Sequence, residues 1–213
     1  MIRVLLADDH QLVREGLKQL LAAAPDVQVA GEAASGDEAL ALARGGDYDL
    51  ALLDMSMPGL SGIDLIKRIK LEKPRLRILV LSMHGEQQYA ARALKAGASG
   101  YLTKDSAPAQ LLGALRKVAA GGVHISETAA AQLVSASAGA ETAPHARLSD
   151  REFEVFRMLV AGRGLTEIGD QLNLSVKTVS THKTRILQKM GLDNTAELVR
   201  YAVEHGLIEG PGA

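Results

Sequence analysis

The sequence contains no cysteine in its 213 residues, and this absence removes several kinds of chemistry at once. Disulfide frameworks, thiolate metal sites and cysteine nucleophiles are all excluded. No apolar run reaches the length of about 18 residues that a membrane span requires. The short apolar stretch at the N-terminus meets acidic residues too early for a signal peptide. We therefore expect a cytoplasmic protein without a membrane partner.

A large excess of charge of one sign is also missing, since the formal net charge is −1 at pH 7. With 47% hydrophobic and 23% charged residues, the composition is typical of a globular protein of one or two domains. The charge is nevertheless unevenly distributed. Residues 175–190 include no acid, and this stretch predicts an anion-binding face. Its basic residues are Lys177, Lys183, Arg185 and Lys189.

Short apolar runs alternate with helical patterns along residues 1–120, which we predict to form the first domain. Such runs are typical of strands that are buried on both faces. Their alternation with helices indicates an α/β fold with a doubly wound parallel sheet, for which we expect the flavodoxin-like strand order 2-1-3-4-5. The five predicted strands are residues 2–7, 27–30, 50–53, 78–81 and 99–103.

The rest of the chain has a different pattern. Residues 121–146 are rich in Ala, Ser and Gly, and we predict a linker here, with a short helix near residues 127–134. From residue 147 to residue 213 we predict an all-α domain. Ser149 and Glu152 have the spacing of a capping box at its first helix. Further on, a short helix, a turn and a longer helix predict a helix-turn-helix, at residues 165–172, 173–175 and 176–190.

Acidic residues follow two of the predicted strands. Asp8 and Asp9 come after the first strand, and Asp54 comes after the third. In a doubly wound sheet the carboxyl ends of the strands form the ligand crevice, so we expect these carboxylates to converge and to hold Mg²⁺. Ser82 ends the fourth strand and Lys104 follows the fifth, which places both in the same crevice.

This combination suits a phosphoryl group. Asp54 can act as the nucleophile, while the cation, Ser82 and Lys104 hold the charge on the transferred oxygens. Each residue alone has a simpler interpretation, as a helix-capping acid, a turn aspartate, a strand-end hydroxyl or a solvated lysine. Their joint position at four strand ends favours the functional interpretation.

The same residues resemble the signature of two-component receiver domains. The motifs are Asp8-Asp9, Asp54 with Met57-Pro58-Gly59 and Gly62, Ser82, and Tyr101-Leu102-Thr103-Lys104. The resemblance implies an aspartyl phosphate on Asp54. It also implies Mg²⁺ held by Asp9, Asp54 and the backbone carbonyl of Ser56, with Asp8 in support.

The resemblance further implies a switch, in which Ser82 moves toward the phosphoryl group and Tyr101 turns inward behind it. Ser56 and His84 occupy positions that are expected to tune the lifetime of the phosphoryl group. His84 is also the histidine that we expect near the acidic crevice.

On the longer helix of the helix-turn-helix, Val176, Val179, Ile186 and Leu187 are expected to form the apolar face. The lysines and hydroxyl groups outside this apolar face remain available to contact phosphates and base edges of DNA. The predicted DNA-binding residues are Lys177, Thr178, Ser180, Thr181, Lys183, Thr184 and Arg185.

Two further segments, 148–152 and 177–192, are similar to the LuxR-type output domain, and the whole chain resembles response regulators of the NarL/FixJ family. The resemblance implies a sensor histidine kinase and promoter DNA as partners, and a homodimer when phosphorylated. Gly169 departs from the pattern, because an alanine is common at this position of the family.

We therefore predict a phosphorylation-controlled transcription regulator, not an enzyme apart from self-catalysed phosphoryl transfer to Asp54 and hydrolysis from it. One alternative is an aspartate-nucleophile phosphatase of the haloacid dehalogenase type. That enzyme needs a second acid two residues after the nucleophile, where this sequence has Ser56. A second alternative is a DNA-binding regulator that works without phosphorylation, and the intact acidic set argues against it.

Overall fold

The computed structural model describes residues 1–57, 59–60, 62–82, 86–126, 130–131 and 143–207, with the backbone alone for residues 86–88. The chain divides into two compact units, Met1–Val134 and Ser135–Ala213. Several features of the sequence analysis fall outside the described residues, among them Pro58 of the receiver motif and most of the predicted linker. The others are His84, most of the short helix predicted near 127–134, and the end of the chain beyond 207.

The first unit contains a five-stranded parallel sheet in the order β2-β1-β3-β4-β5, which confirms the predicted fold class and strand order. All five residues of β3 are buried, as are five of the six in β4, because helices cover both faces of these central strands. The strands are β1 (Ile2–Ala7), β2 (Val27–Ala33), β3 (Leu50–Asp54), β4 (Arg77–Ser82) and β5 (Gly100–Thr103).

Strand β2 is three residues longer than its apolar run. It lies at the edge of the sheet and pairs with β1 alone, so half-exposed residues such as Gly31 can continue it. The helices between the strands are α1 (Gln11–Ala22), α2 (Gly36–Gly45), α3 (Gly62–Glu72) and α4 (Glu86–Lys95), and α5 (Pro108–Ala119) follows the last strand.

The chain after α5 remains attached to the sheet. Gly121 adopts a φ of +93°, which ends the helix and turns the backbone. His124 then forms a parallel bridge with Gly100, and its carbonyl oxygen accepts a hydrogen bond from the Tyr101 amide at 2.9 Å. The first residues of the segment that we predicted as a linker therefore belong to the edge of the sheet.

The second unit is helical in its described part. After a 3₁₀ turn, Pro144–Arg147, it contains α6 (Asp150–Val160), α7 (Leu165–Leu172), α8 (Val176–Met190) and α9 (Thr195–Glu204). The predicted capping box is present at the start of α6. The Glu152 amide donates to Ser149 Oγ at 3.3 Å, and the Ser149 amide donates to Glu152 Oε2 at 2.8 Å.

A tight turn joins α7 to α8 as the helix-turn-helix pattern predicts. Asn173 takes the left-handed conformation, and the Leu174 amide returns to the Gly169 carbonyl oxygen at 2.8 Å. Ser175 caps α8 by accepting a hydrogen bond from the Thr178 amide. None of the helices within the described ranges has the length and apolar character needed to cross a bilayer.

The tertiary structure explains why a glycine occupies position 169, which helix propensity alone does not explain. Gly169 is buried in α7, and a Cβ at this position would lie 2.7 Å from the carbonyl oxygen of Leu174. An alanine would gain up to about 1 kcal/mol in helix propensity but would push against the backbone of the turn. Because that oxygen belongs to the backbone, the turn itself would have to move.

We therefore expect Gly169→Ala to lower the free energy of unfolding of the second unit by roughly 1–3 kcal/mol, as measured by urea denaturation of the full chain. Gly113→Ala in α5 is the matched control, since a Cβ there meets nothing within 4 Å. That variant should gain about 0.5–1 kcal/mol. If Gly169→Ala were as stabilising as the control, the close approach would have no energetic consequence.

Candidate functional site

Three carboxylates meet at the carboxyl edge of the sheet. Asp8 follows β1 and Asp54 ends β3, and these two strands are neighbours that pair Ala7 with Leu53. One ligand atom from each of Asp8, Asp9, His10 and Asp54 lies within 4.8 Å of all the others. The convergence that we predicted for the aspartates is therefore present in the structure. We call Asp8, Asp9, Asp54 and Lys104 the acidic pocket.

Lys104 supplies the cation of the acidic pocket. Its Nζ lies 2.6 Å from Asp8 Oδ2 and 2.9 Å from Asp54 Oδ2, and the three side chains are only 7%, 1% and 2% exposed. Its backbone amide also donates to the Ser82 carbonyl oxygen at 2.8 Å, which joins the ends of β4 and β5. The lysine is thus held by both its main chain and its side chain.

Burial controls the ionisation of this pocket. It raises the pKa of Asp54 above the ordinary value of 3.8, although Lys104 and the Ser56 amide oppose the shift. Burial alone would lower the pKa of Lys104, but its hydrogen bonds to Asp8 and Asp54 outweigh that effect and raise it. Lys104 therefore keeps its charge at neutral pH and neutralises part of the charge on its two partners.

The histidine beside the aspartates was missed by the sequence analysis, which expected only His84 near the crevice. His10 Nδ1 lies 3.0 Å from Asp9 Oδ1 and 3.5 Å from Asp8 Oδ1. The His10 amide also donates to Asp8 Oδ1 at 2.9 Å. Because α1 begins at Gln11, its N-cap residue is His10 and not either aspartate, and the His10 side chain makes no capping hydrogen bond. The direct succession Asp8-Asp9-His10 was the signal that could have revealed it.

Ser82 and Tyr101, the two predicted switch residues, are both completely buried. Ser82 ends β4 at the carboxyl edge of the sheet, where it pairs in register with Thr103 of β5. Tyr101 is the second residue of β5 and is among the largest fully buried side chains. The movement of Ser82 and Tyr101 on phosphorylation stays a prediction, because the structure shows one arrangement, in which Tyr101 is already buried.

The donor set of the acidic pocket fits a hard divalent cation. Asp8, Asp9 and Asp54 offer carboxylate oxygens, the ligands that Mg²⁺ prefers. Asp9 Oδ1 is shielded from solvent and lies 3.0 Å from His10 Nδ1, so a cation bound here would share this oxygen with the His10 ring. At Ser56 the structure shows the amide donating to Asp54 Oδ1 at 3.3 Å.

The second candidate surface lies on α8. Most of the predicted DNA-binding residues are exposed, whereas Thr178 and Lys183 are half-buried. The Thr178 hydroxyl lies 2.8 Å from Ser175 Oγ, within the helix cap. The exposed residues of the predicted set are Lys177, Ser180, Thr181, Thr184 and Arg185.

Two expectations for α8 were wrong. Lys189, counted with the cationic stretch, forms an ion pair with the buried Glu152 at 2.6 Å and fastens α8 to α6. Although burial raises the pKa of Glu152, Lys189 and Ser149 lower it more, so that it falls below its ordinary value. Val176, assigned to the apolar face, is 46% exposed because it stands at the first turn of the helix, while Val179 and Ile186 are buried as expected.

Comparison with known protein families gives a match for each unit. Residues 4–116 match the response regulator receiver domain, and residues 146–202 match the bacterial regulatory proteins of the luxR family. The parallel sheet with its acidic pocket and the helical unit with its helix-turn-helix are thus a receiver domain and a LuxR-type DNA-binding domain. Together they define a DNA-binding response regulator that controls transcription.

Individual relatives match over nearly the whole chain. The response regulator UvrY of Escherichia coli strain K12 is 37% identical over 209 residues, which are 97% of this chain and 96% of UvrY. GacA of Pseudomonas protegens is 38% identical over 210 residues, with 98% and 99% covered. The chain belongs to the NarL/FixJ family of two-component response regulators.

Solved structures agree with this assignment. The response regulator RcsB of Salmonella typhimurium matches with a TM-score of 0.74 at 32% identity, covering 95% of this chain and 97% of RcsB. RcsB of Salmonella enterica serovar Typhimurium, bound to promoter rprA in the presence of the phosphomimetic BeF₃⁻, matches with a TM-score of 0.67 at 33% identity. That match covers 94% of this chain and 97% of that one.

Proposed function

We propose that Asp54 accepts a phosphoryl group from a sensor histidine kinase and that the modification controls promoter binding. The observation that carries this proposal is the buried Asp54 carboxylate, held 2.9 Å from the Lys104 ammonium at the carboxyl edge of the sheet. A carboxylate with a cation beside it has both a nucleophilic oxygen and a partner for the negative charge of the reacting group.

In this proposal an Asp54 oxygen attacks phosphorus, and the bond from phosphorus to the histidine nitrogen of the kinase breaks. Lys104 stabilises the negative charge on the transferred oxygens, and the Ser82 hydroxyl binds one of them. Asp9, Asp54 and the Ser56 carbonyl would hold Mg²⁺, with Asp8 in support, and the bound ion supplies charge neutralisation there. Asp54 must be ionised to react, so Lys104 also favours the reactive form.

Ser56 sets this site apart from an aspartate-nucleophile phosphatase. Such an enzyme uses an acid two residues after the nucleophile to protonate the leaving group. Here the position is an exposed serine, whose backbone amide donates to Asp54 Oδ1. We propose that only self-catalysed transfer to Asp54 and hydrolysis from it occur, so that the acyl phosphate persists as a signal.

For the output domain, we propose that α8 enters the major groove. At about 100° per residue, Ser180, Thr184 and Lys177 face one direction, while Lys183 and Arg185 lie near opposite edges of that face. Cations at both edges can contact the two phosphate backbones that border the groove. Burial lowers the pKa of His182, so this half-buried histidine adds no positive charge at neutral pH.

We further propose that residues 1–120 act as the receiver, 121–146 as the linker and 147–213 as the DNA-binding domain, in the cytoplasm where promoter DNA is present. Phosphorylation would shift the arrangement of Ser82 and Tyr101 and favour a homodimer. Joining two output domains raises their effective concentration on paired half-sites. A solved structure of the relative RcsB contains two dimers bound to two parallel DNAs, and this supports the proposed assembly.

The test is to incubate the full-length chain with Mg²⁺ and a small acyl phosphate, and then to measure its intact mass and its DNA affinity. We expect a single phosphoryl adduct and an affinity increase between about fivefold and 150-fold. If the chain remains unmodified, the proposal that phosphorylation of Asp54 acts as a switch is wrong. Multiple turnover of a phosphoester would favour the enzyme, and equal affinity with and without the adduct would favour a constitutive regulator.

The cationic edges of α8 make a separate prediction about salt. Lys183→Ala and Arg185→Ala should each weaken binding to all sequences and reduce the slope of log affinity against log salt by about one, because each removes one phosphate contact. Fluorescence anisotropy at several salt concentrations measures the slope. Arg200→Ala is the matched control, since Arg200 is 72% exposed on α9 and should leave the slope unchanged. Unchanged slopes in the two α8 variants would exclude these phosphate contacts.

A further inference from the structure

Methyl groups are prominent on the exposed face of α8. Val176 is 46% exposed at its first turn, and Thr181 and Thr184 are exposed further along. We call Val176, Thr181 and Thr184 the methyl set. A valine at the first position of a recognition helix has a consequence for DNA reading, because residues near the start of that helix contact base edges.

The two threonines of the methyl set have already used their hydroxyl hydrogens. Thr181 Oγ1 donates to the Lys177 carbonyl oxygen at 2.9 Å, and Thr184 Oγ1 donates to the Ser180 carbonyl oxygen at 3.1 Å. Such back-bonding restricts χ1 and removes the hydroxyl as a donor to bases. What each threonine still offers is an oxygen acceptor and a γ-methyl group.

Two of the long donors lie at the edges of the exposed face, whereas Lys177 lies near its centre. Arg185 and Lys183 are near the edges of the exposed face, and Lys189 is paired with Glu152. Lys177 would favour guanine at the base pair that it reaches, through the O6 and N7 acceptors, and the other groups between the edges are short. Between the edges this face therefore combines Lys177 with short hydroxyl and methyl groups, and the C5-methyl of thymine is the apolar group that a base pair shows in the major groove.

We propose that the methyl set reads thymine by contact with its C5-methyl group, so that A·T pairs at these positions are preferred. This inference rests on the proposed insertion of α8 into the major groove, and it adds the base class that the helix selects. Val176 lies outside the residues expected to contact DNA. In this proposal Val176 helps to determine sequence specificity through its methyl groups, although its side chain makes no hydrogen bond.

Replacing thymine by uracil tests the proposal, because it removes only the methyl group and keeps every hydrogen-bonding atom. Short duplexes are first enriched from a random pool by the full-length protein, and each thymine of the best duplex is then replaced in turn. Burying one methyl group is worth about a fourfold change in affinity. We expect uracil at one to three positions per half-site to weaken binding of the wild-type chain by about that factor.

Variants of the protein assign each methyl contact to its side chain. Thr181→Ser and Thr184→Ser remove one methyl group and keep the hydroxyl, and Val176→Ala removes two methyl groups at an exposed site. Each variant should lose the uracil penalty at one position and keep it at the others, as a double-mutant cycle shows. Val203→Ala is the control, because Val203 is 39% exposed on α9, away from this face.

The outcomes separate this inference from the proposed DNA surface. If the wild-type chain binds the enriched duplex with strong salt dependence but tolerates uracil everywhere, methyl reading is wrong and the DNA surface stands. If all three variants keep every uracil penalty, some other group reads the methyl, and the assignment to this set is wrong. If no sequence is enriched and binding is insensitive to salt, both the surface and the inference fail.

Discussion

The variant Asp54→Asn is expected to show no phosphoryl adduct after incubation with Mg²⁺ and a small acyl phosphate, under conditions that modify the wild-type chain completely. An amide oxygen at this position is a far weaker nucleophile than a carboxylate. The substitution keeps the shape of the side chain and removes its charge, so the acidic pocket loses one of the two carboxylates that Lys104 contacts. The rest of the receiver should remain folded.

The DNA-binding consequence is equally large. In the wild-type chain the phosphodonor should raise affinity by a factor between about 5 and 150, whereas in Asp54→Asn the ratio with and without donor should be one. Asp64→Asn is the matched control, because Asp64 is an exposed aspartate in the first turn of α3. It should be modified like the wild-type chain. An adduct on Asp54→Asn would mean that another residue is the acceptor.

Lys104→Met is expected to have the largest effect on stability. Asp8 and Asp54 are almost fully buried, and Lys104 is the cation that contacts both within the described part of the chain. Removing one partner of a buried ion pair leaves uncompensated charge, which costs about 3–5 kcal/mol. We expect a loss of that size for the receiver domain in chelator at neutral pH, measured by urea denaturation.

The loss should depend on pH in a defined direction. Burial already raises the folded-state pKa of Asp54, and removing Lys104 raises it further, so the folded receiver holds this proton more tightly than the unfolded chain does. Such a group contributes stability at low pH that is lost as pH rises through its folded-state pKa. The deficit of Lys104→Met should therefore be largest near pH 7 and should shrink as pH approaches 3.8, the ordinary value for aspartate.

A divalent cation should reduce the same deficit. Mg²⁺ bound among the carboxylates supplies the charge that Lys104→Met lacks, so stability of the variant should rise more with Mg²⁺ than that of the wild-type chain. Lys117→Met on the exposed side of α5 is the control and should lose little at any pH. A Lys104→Met variant as stable as this control at pH 7 would contradict the role assigned to the lysine.

Much of the candidate site could be predicted from local sequence. Each of Asp8, Asp54, Ser82 and Lys104 ends or follows an apolar run, and parallel strands in a doubly wound sheet bring such ends together. The bounds of the strands were less predictable. Strand β2 continues through half-exposed residues, because pairing with β1 and not hydrophobicity determines where an edge strand stops.

The features that the sequence could not predict depended on partners distant in sequence or on a residue's position along its helix. Lys189 looks like any exposed lysine of a cationic helix until α6 brings the buried Glu152 to it. Val176 follows the apolar pattern of α8, yet its place at the first turn leaves it exposed. His10 is a different case, because its direct succession to Asp8 and Asp9 is a local signal that was overlooked.

The sequence by itself determined the α/β receiver with its strand-end aspartates, the capped helix-turn-helix and the family to which the chain belongs. These features follow from periodicity, capping and short motifs, all of which are local. The tertiary structure decided which buried charges are compensated. Lys104 lies between two buried carboxylates, and Lys189 forms an ion pair with Glu152. The tertiary structure also decided why residue 169 is a glycine, because the Leu174 carbonyl oxygen reaches α7 only when the turn closes.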